Sequence, residues 1–400
     1  SDPLTGYTVR MGKVFKYGEP MGVFAQTYSF LNPITRFNWG VALMDDIAFN
    51  EKLTMKLGAR YDLFSTKDDR KGGAQNMGYI DYLLRNMQGA AMNFDPINDK
   101  ESGFSFLGVV SYARSQLLNA SYRFSTGFRV PNTEEKYFQF YSAWPSFIVL
   151  SNRDLKAEKS YNHELEFNGR GKGFGYLLSL YYNQYSDFIE LKQGTLAVKE
   201  PLMQAPKSIS YVKNVNQTSA HLKGFDAALQ LYPGEWVDLL KGFMVSSAFS
   251  YAEGSSSSGM SMLGIQPLTG NIGVEYTDPK ARWQVNIKAN LYFAKPVSQT
   301  TFWDKDAAGK ELIRRYPASF MSNAYTFDAY GYYKITRNFT VILGIYNILN
   351  SEYLRWDDLR QLTNPALLSN INYFFQDGKK SLSRFSRPKR YISLALEYKI

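Results

Sequence analysis

From Trp283 onward the chain alternates with period two for about eleven residues. Trp283, Val285, Ile287, Ala289, Leu291 and Phe293 fall on one face; Gln284, Asn286, Lys288, Asn290 and Tyr292 fall on the other. A strand of a soluble sheet usually stops after about five or six residues, whereas about nine to eleven are needed to cross a bilayer at a tilt. The last segment repeats the pattern: Ile392, Leu394, Leu396, Tyr398 and Ile400 alternate with Tyr391, Ser393, Ala395, Glu397 and Lys399. A regular inner face carrying Glu and Lys suits a wet lumen better than a sandwich core. The spacing therefore predicts an all-β, transmembrane antiparallel β-barrel.

About fourteen strands fit, near 22–32, 36–48, 52–64, 104–113, 116–128, 159–170, 174–189, 219–232, 242–252, 268–277, 282–294, 324–334, 338–348 and 390–400. Their connections alternate in length. Short turns fall near Asn50, Ser115-Gln116, Gly171-Lys172, Asp278-Pro279-Lys280 and Thr336-Arg337, with a medium turn over 233–241. Long polar segments lie near 65–103, 131–158, 190–218, 253–266, 295–323 and 351–387. Short turns on one side and long loops on the other are the pattern of outer-membrane barrels.

Composition agrees where it bears on the point. Aromatics make up 16% of the chain, enough for belts at both membrane interfaces. No apolar run reaches the length of a membrane-spanning helix. With no cysteine, disulfides and thiol chemistry are excluded. The first residues, Ser1-Asp2-Pro3-Leu4, lack the basic start and apolar core of a signal peptide, so the chain reads as a mature or truncated product. The net charge of +10 is spread along the chain without a nucleic-acid-binding motif. Lumen and loop residues account for it, with attraction to lipopolysaccharide or an anionic cargo as the sharper reading.

Catalytic chemistry finds no purchase. The two histidines, His163 and His221, have no Ser or Asp in a catalytic setting and no zinc-like spacing. They read as lumen or interface histidines, with haem ligation as the alternative. The loops instead carry aromatics: Tyr137, Phe138, Phe140, Tyr141, Trp144 and Phe147 in one, Tyr373, Phe374 and Phe375 in another. Exposed clusters of this kind mark contact with a partner, against the plainer reading that the loops pack on one another over the barrel mouth.

Several motifs then resemble those of TonB-dependent receptors, specifically the haemoglobin, haem, transferrin and lactoferrin branch. Gly58-Ala59-Arg60-Tyr61-Asp62 resembles a strand-end motif, Phe128-Arg129-Val130-Pro131 the FRAP-type motif, and Asn152-Arg153-Asp154-Leu155-Lys156-Ala157-Glu158 the NPNL-type motif. Gly224-Phe225-Asp226 and the stretch from Pro267 to Trp283 also resemble family features. Asn347-Ile348-Leu349-Asn350, followed by Tyr353, Trp356, Asp358 and Arg360, resembles the late end motif, and Arg384 to Tyr391 the approach to the last strand. There are departures. The stretch 131–151 has no histidine, so Tyr137, Tyr141 or a gripped protein carrier would replace histidine ligation of haem; Lys389 and Ile400 stand where the family has Gly and Phe.

The resemblance implies a barrel of about 22 strands with a plugged lumen. Residues 1–400 would be its C-terminal portion, with plug and TonB-binding segment outside this chain. It implies a multi-pass protein of the bacterial outer membrane that is not an enzyme. Such a receptor binds a host carrier, haemoglobin alone or with haptoglobin, and imports haem or iron with TonB-derived energy. Haem or iron would be cargo, with no resident cofactor or metal, and a lipoprotein co-receptor is a further partner of the branch. Transferrin or lactoferrin iron uptake is the alternative within the branch; a passive porin or a surface adhesin is the alternative outside it. The expected carrier contacts are Tyr137, Phe138, Phe140, Tyr141, Trp144, Phe147, Tyr373 and Phe374. Phe128, Arg129, Pro131, Asn152, Asp154, Leu155, Asn347, Leu349, Asn350, Trp356 and Arg360 are expected to hold the loops. Fourteen strands cannot close such a barrel, so the first and last are expected to lack a partner within this segment.

Overall fold

The computed structural model describes residues 7–10, 15–16, 19–20, 25–28, 34–68, 97–138, 140–143, 146–199, 205–305, 311–315, 322–362 and 386–399. Thirteen strands form one continuous meander: β1 (Ile34–Ala48), β2 (Leu53–Asp68), β3 (Asn98–Ser115), β4 (Leu118–Arg129), β5 (Glu158–Gly171), β6 (Phe174–Val198), β7 (Lys207–Leu231), β8 (Phe243–Ser256), β9 (Thr269–Thr277), β10 (Trp283–Tyr292), β11 (Ala324–Lys334), β12 (Phe339–Tyr346) and β13 (Tyr391–Tyr398). Each pairs with the next in sequence, and every such pair is antiparallel. Among the described residues, β1 and β13 each have one open edge, so the sheet does not close. The expected strand at 22–32 is described only over Ala25–Tyr28, which pairs with Tyr7–Arg10 and not with the wall.

Register shows why the alternation matters. One row of directly opposed residues runs Asn119, Asn168, Leu177, Ala228, Ala248, Asn271, Asn290, Thr326. The row one residue away runs Tyr112, Ala120, Phe167, Leu178, Ala227, Phe249, Gly270, Leu291, Tyr325. A single step thus moves from a face of amides and small side chains to a face of apolar and aromatic ones. Side chains on the first face bond to one another: Asn290 donates to Asp328 at 2.8 Å, Asn286 to Glu275 at 3.2 Å, and Arg123 pairs with Glu164 at 2.7 Å. The second face is bare: Trp283, Val285 and Ile287 are exposed while Asn286 between them is buried. Near the short turns, Phe243, Tyr276 and Trp283 form a ring ladder at 4.8 and 5.0 Å, the aromatic girdle of the inner interface. Among the described residues, no helix is long and apolar enough to cross a membrane.

Two connections expected as loops are strand instead. β6 and β7 each run 25 residues and stay paired from Phe174↔Leu231 to Val198↔Lys207, so 190–218 is a hairpin. At about 3.3 Å per residue each strand is some 80 Å long, which at a tilt of about 35–45° rises about 60 Å against a hydrocarbon core of about 30 Å, so roughly half stands above the membrane. The start of β3 likewise takes residues 98–103 out of the expected 65–103 loop. The reason is local: the alternation continues past the bilayer but its apolar face shrinks, and a rule based on bilayer length stops too early. Asp187, with φ of 53°, marks the change in β6. Beyond it Phe188 lies 5.7 Å from Tyr185, which strict alternation would place on the opposite face.

Candidate functional site: the loop assembly above the barrel wall

The raised β6–β7 hairpin is the spine of an extracellular assembly. On one side Ser146–Leu150 adds to β7 in parallel, Phe147↔Ser210 through Leu150↔Lys213, and pairs antiparallel with Phe140–Ala143. Ile148, Val198 and Ile209 are within 1% of fully buried, and Leu150 and Val212 are buried too. The most deeply buried side chains among the described residues therefore lie in the loops, not in the wall. Gly194 belongs to this packing, since a Cβ there would run into the Tyr211 ring.

The segment that leaves β4 is tied down at both of its ends. Phe128 packs over Gly103 and lies 6.4 Å from Phe64. The Arg129 guanidinium bridges Glu158, at the foot of β5, and Glu135 at 2.9 Å. Pro131 is buried, and its carbonyl accepts from Arg36 at 3.3 Å. Asn132 caps helix α1 (Thr133–Tyr137): its side chain accepts from the Glu135 amide at 2.7 Å while Glu135 accepts from the Asn132 amide at 2.8 Å. On the return, Asn152 donates to the Asn214 carbonyl at 2.7 Å, Leu155 is buried and Asp154 is exposed. Asn216 of β7 exchanges hydrogen bonds with the Lys156 backbone at 2.9 and 3.1 Å.

The late motif acts similarly. Asn347 and Asn350 both have positive φ, 51° and 55°, a region Asn tolerates better than most residues. The Asn347 amide donates to Asp328 at 2.8 Å, and its side chain accepts from Ser351 at 3.0 Å and donates to the Pro388 carbonyl at 3.2 Å. Asn350 accepts from the Arg390 amide at 3.0 Å, so one turn fastens the exit of β12 to the approach of β13. Leu349 is exposed. Trp356 and Arg360 lie on helix α2 (Trp356–Leu362); Trp356 is buried and its indole donates to the Leu263 carbonyl at 2.7 Å.

The expected contact residues divide. Tyr137 is turned inward, buried, with its hydroxyl donating to Asp99 and both Lys136 and Arg153 beside its ring. Burial, then the Asp99 hydrogen bond and charge, push its phenol well above the usual tyrosine range. Phe138 and Phe140 are half-buried and stack at 6.5 Å. Tyr141 and Phe147 belong to the 140–150 hairpin by their backbone. Trp144, Tyr373, Phe374 and Phe375 lie outside the described residues. The histidines are apart from this assembly's aromatics: Tyr122 Oη lies 2.7 Å from His163 Nδ1 beside Phe124, and His221 meets Ser255 at 3.4 Å.

Glu190 fastens the other flank of the spine. Ser256 and Ser258 donate to its carboxyl at 3.0 and 2.8 Å, holding the loop that follows β8. Burial pushes this carboxyl above its ordinary range, partly offset by hydrogen bonds from Ser258, Ser256 and Gln217. A raised acid favours its protonated form, so its contribution is complete below the ordinary Glu value of about 4.3 and is lost as pH rises through the raised value. The protection factors of the Ser256 and Ser257 amides, corrected for intrinsic exchange, should therefore fall as pH rises from acidic to neutral. Glu190→Gln should flatten that dependence; an unchanged profile in the variant would remove Glu190 from the account.

A wall of lipid-faced antiparallel strands with a polar inner face and a folded loop assembly on one rim defines an outer-membrane β-barrel of the receptor kind. The chain belongs to the TonB dependent receptor-like, beta-barrel family, whose model matches residues 4–348. It is similar to Hemoglobin-binding protein A of Haemophilus influenzae, 26% identical over 93% of this chain and 38% of that protein. It is also similar to Hemoglobin-haptoglobin utilization protein B of Neisseria meningitidis, 28% identical over 88% of this chain and 42% of that protein. The chain thus spans about two-fifths of the length of these curated relatives. Among solved structures, the Serratia marcescens hemophore receptor HasR, in complex with its hemophore HasA and heme, superposes with a TM-score of 0.59 at 13% identity over 94% of this chain and 54% of that one. The copper transporter OprC gives 0.57 at 17% identity, over 80% and 45%. At these identities the structural likeness shows the fold.

Proposed function

We propose that this chain is the carrier-binding and conducting part of an outer-membrane receptor that takes haem from haemoglobin, alone or bound to haptoglobin, and imports it with energy delivered through TonB. The observation that carries the reading is the 140–150 hairpin, rich in aromatic residues, whose second strand pairs onto the raised part of the β6–β7 spine. Rigid elements that hold aromatic side chains above a surface are how protein partners are gripped. The Haemophilus and Neisseria relatives, named for haemoglobin binding and haemoglobin–haptoglobin use, support the choice of carrier. Haem is cargo in this reading, and the wall residues that line the lumen provide its wet path. TonB and the plug act through segments outside this chain, and a lipoprotein co-receptor belongs to the same proposal. Transferrin uptake remains the competing cargo within the branch.

Around the 131–152 segment we assign the roles as follows. Tyr137, Arg129, Asn152 and Leu155 hold the assembly, while Phe138, Phe140, Tyr141, Trp144 and Phe147 supply the contact, with Tyr373 and Phe374 proposed from the neighbouring loop. The double variant Tyr141→Ala/Trp144→Ala of the full-length receptor should weaken haemoglobin capture at least about tenfold, because truncating a hot-spot aromatic costs about 2 kcal/mol or more. Surface display and heat-modifiable migration should be unchanged. Haemoglobin capture equal to the parent's, or capture of transferrin in its place, would sink the assignment.

A further inference from the structure

Tyr292 ends β10 on the lumen-facing row, opposite Thr269 and Ala324. Tyr353, six residues beyond Asn347, stacks on it with centroids 5.4 Å apart and planes inclined by 17°. The Arg355 guanidinium carbon lies 5.7 Å from the centroid of the Tyr292 ring. Arg355 Nε is buried without a hydrogen-bond partner among the described residues. Neighbouring cations differ: Arg387 pairs with Asp358 at 2.8 Å, and Lys295 donates to the Ile265 carbonyl at 2.7 Å with its ammonium over Trp356. Asp358 is already engaged by Arg387 and by the Arg355 amide at 2.9 Å. The cluster thus holds a guanidinium whose Nε is unpaired among the described residues, beside two stacked phenol rings.

Its place is the top of the cargo path. Tyr292 lines both a narrow crevice with Arg355, Trp356 and Leu359 and the lumenal concavity that continues past Asn290, Asn271 and Asp226. The segment is held, not free: Tyr353's carbonyl accepts from the Arg387 amide at 3.0 Å, and Trp356 is fixed to Leu263.

We infer that Tyr292, Tyr353 and Arg355 form a cargo subsite at the upper rim of the lumen that receives a flat conjugated ring bearing carboxylates. Aromatic faces stack on a conjugated ring, and a guanidinium fork matches a carboxylate with two parallel hydrogen bonds. Burial pushes the Tyr353 phenol to about 12, further from ionisation than the ordinary tyrosine that is already protonated at neutral pH. The subsite rests on the haem-import reading and adds to it the residues that take the cargo once the carrier has docked.

The test uses full-length receptor in detergent, titrated with ferric protoporphyrin and with its dimethyl ester, and in parallel with haemoglobin. Arg355→Ala should weaken the free acid at least about tenfold, as loss of a charge-assisted hydrogen bond does. The ester should bind parent and variant alike, and haemoglobin capture should not change. Arg355→Lys, which keeps the charge without the fork and disturbs packing least, should fall between parent and Ala variant. Equal affinity of parent, Ala and Lys variants for the free acid overturns the subsite. A parent that captures haemoglobin but binds no porphyrin overturns the subsite and leaves the carrier reading standing; a parent that binds neither overturns both.

Discussion

Ile148→Ala should unfold the loop assembly while leaving the barrel wall intact. Ile148 is fully buried, on the strand that adds in parallel to the β6–β7 spine opposite Tyr211. Removing three buried carbons from a packed site costs about 2–5 kcal/mol, through lost transfer energy and the cavity left behind. The assembly is small, and a parallel strand of five residues contributes few backbone bonds, so a loss of that size is a large share of its local stability. The 131–152 segment should become sensitive to protease, and haemoglobin capture should fall with it. These contacts fall on the raised end of β7 and not on its lipid-facing part, so the variant should still migrate as a folded, heat-modifiable barrel. Unchanged protease resistance would mean that the loops are held by something other than this core.

The wall was legible because the bilayer imposes a simple rule. Every second residue from Trp283 to Leu291 and from Ile392 to Leu396 meets lipid, and the register confirms that the intervening Asn286 and Asn290 share the polar face. Above the membrane the rule lapses. Residues 190–218 mix Leu191, Val198, Val212 and Val215 with Lys192, Lys213, Asn214 and Asn216, so a pattern tuned to lipid reads them as loop although they pair as far as Val198↔Lys207. Helix α1 had a signal that period-two reading passes over, Asn132 followed three residues later by Glu135. The inward turn of Tyr137 had none: its partner Asp99 lies 38 positions away, and only the fold brings β3 beside the helix. Arg355 was hidden for a like reason, since Tyr292 reaches it only through the turn fixed by Asn347 and Asn350.

Ile287→Arg, at the middle of β10, tests the lipid face itself. Ile287 is 53% exposed, pairs with Val274 and Ala329, and sits between exposed Val285 and Leu291's row on the apolar face. With Trp283 in the girdle at the short-turn end, four residues below, Ile287 lies near the middle of the apolar band. An arginine on the lipid face of a barrel costs about 2–4 kcal/mol at the midplane and about 0–1 near the interfaces. Refolding of the full-length receptor into lipid vesicles, followed by denaturant titration, should therefore show the variant weakened by an amount in the upper range. Lys288→Ala, one residue along, removes a charge from the wet face and should change little. The contrast between neighbours is the sharp part, because general fragility of the strand would weaken both. If Ile287→Arg is tolerated as well as Lys288→Ala, the faces are reversed: the amide row of Asn271 and Asn290 would then meet lipid, and the cargo path drawn along it would be lost.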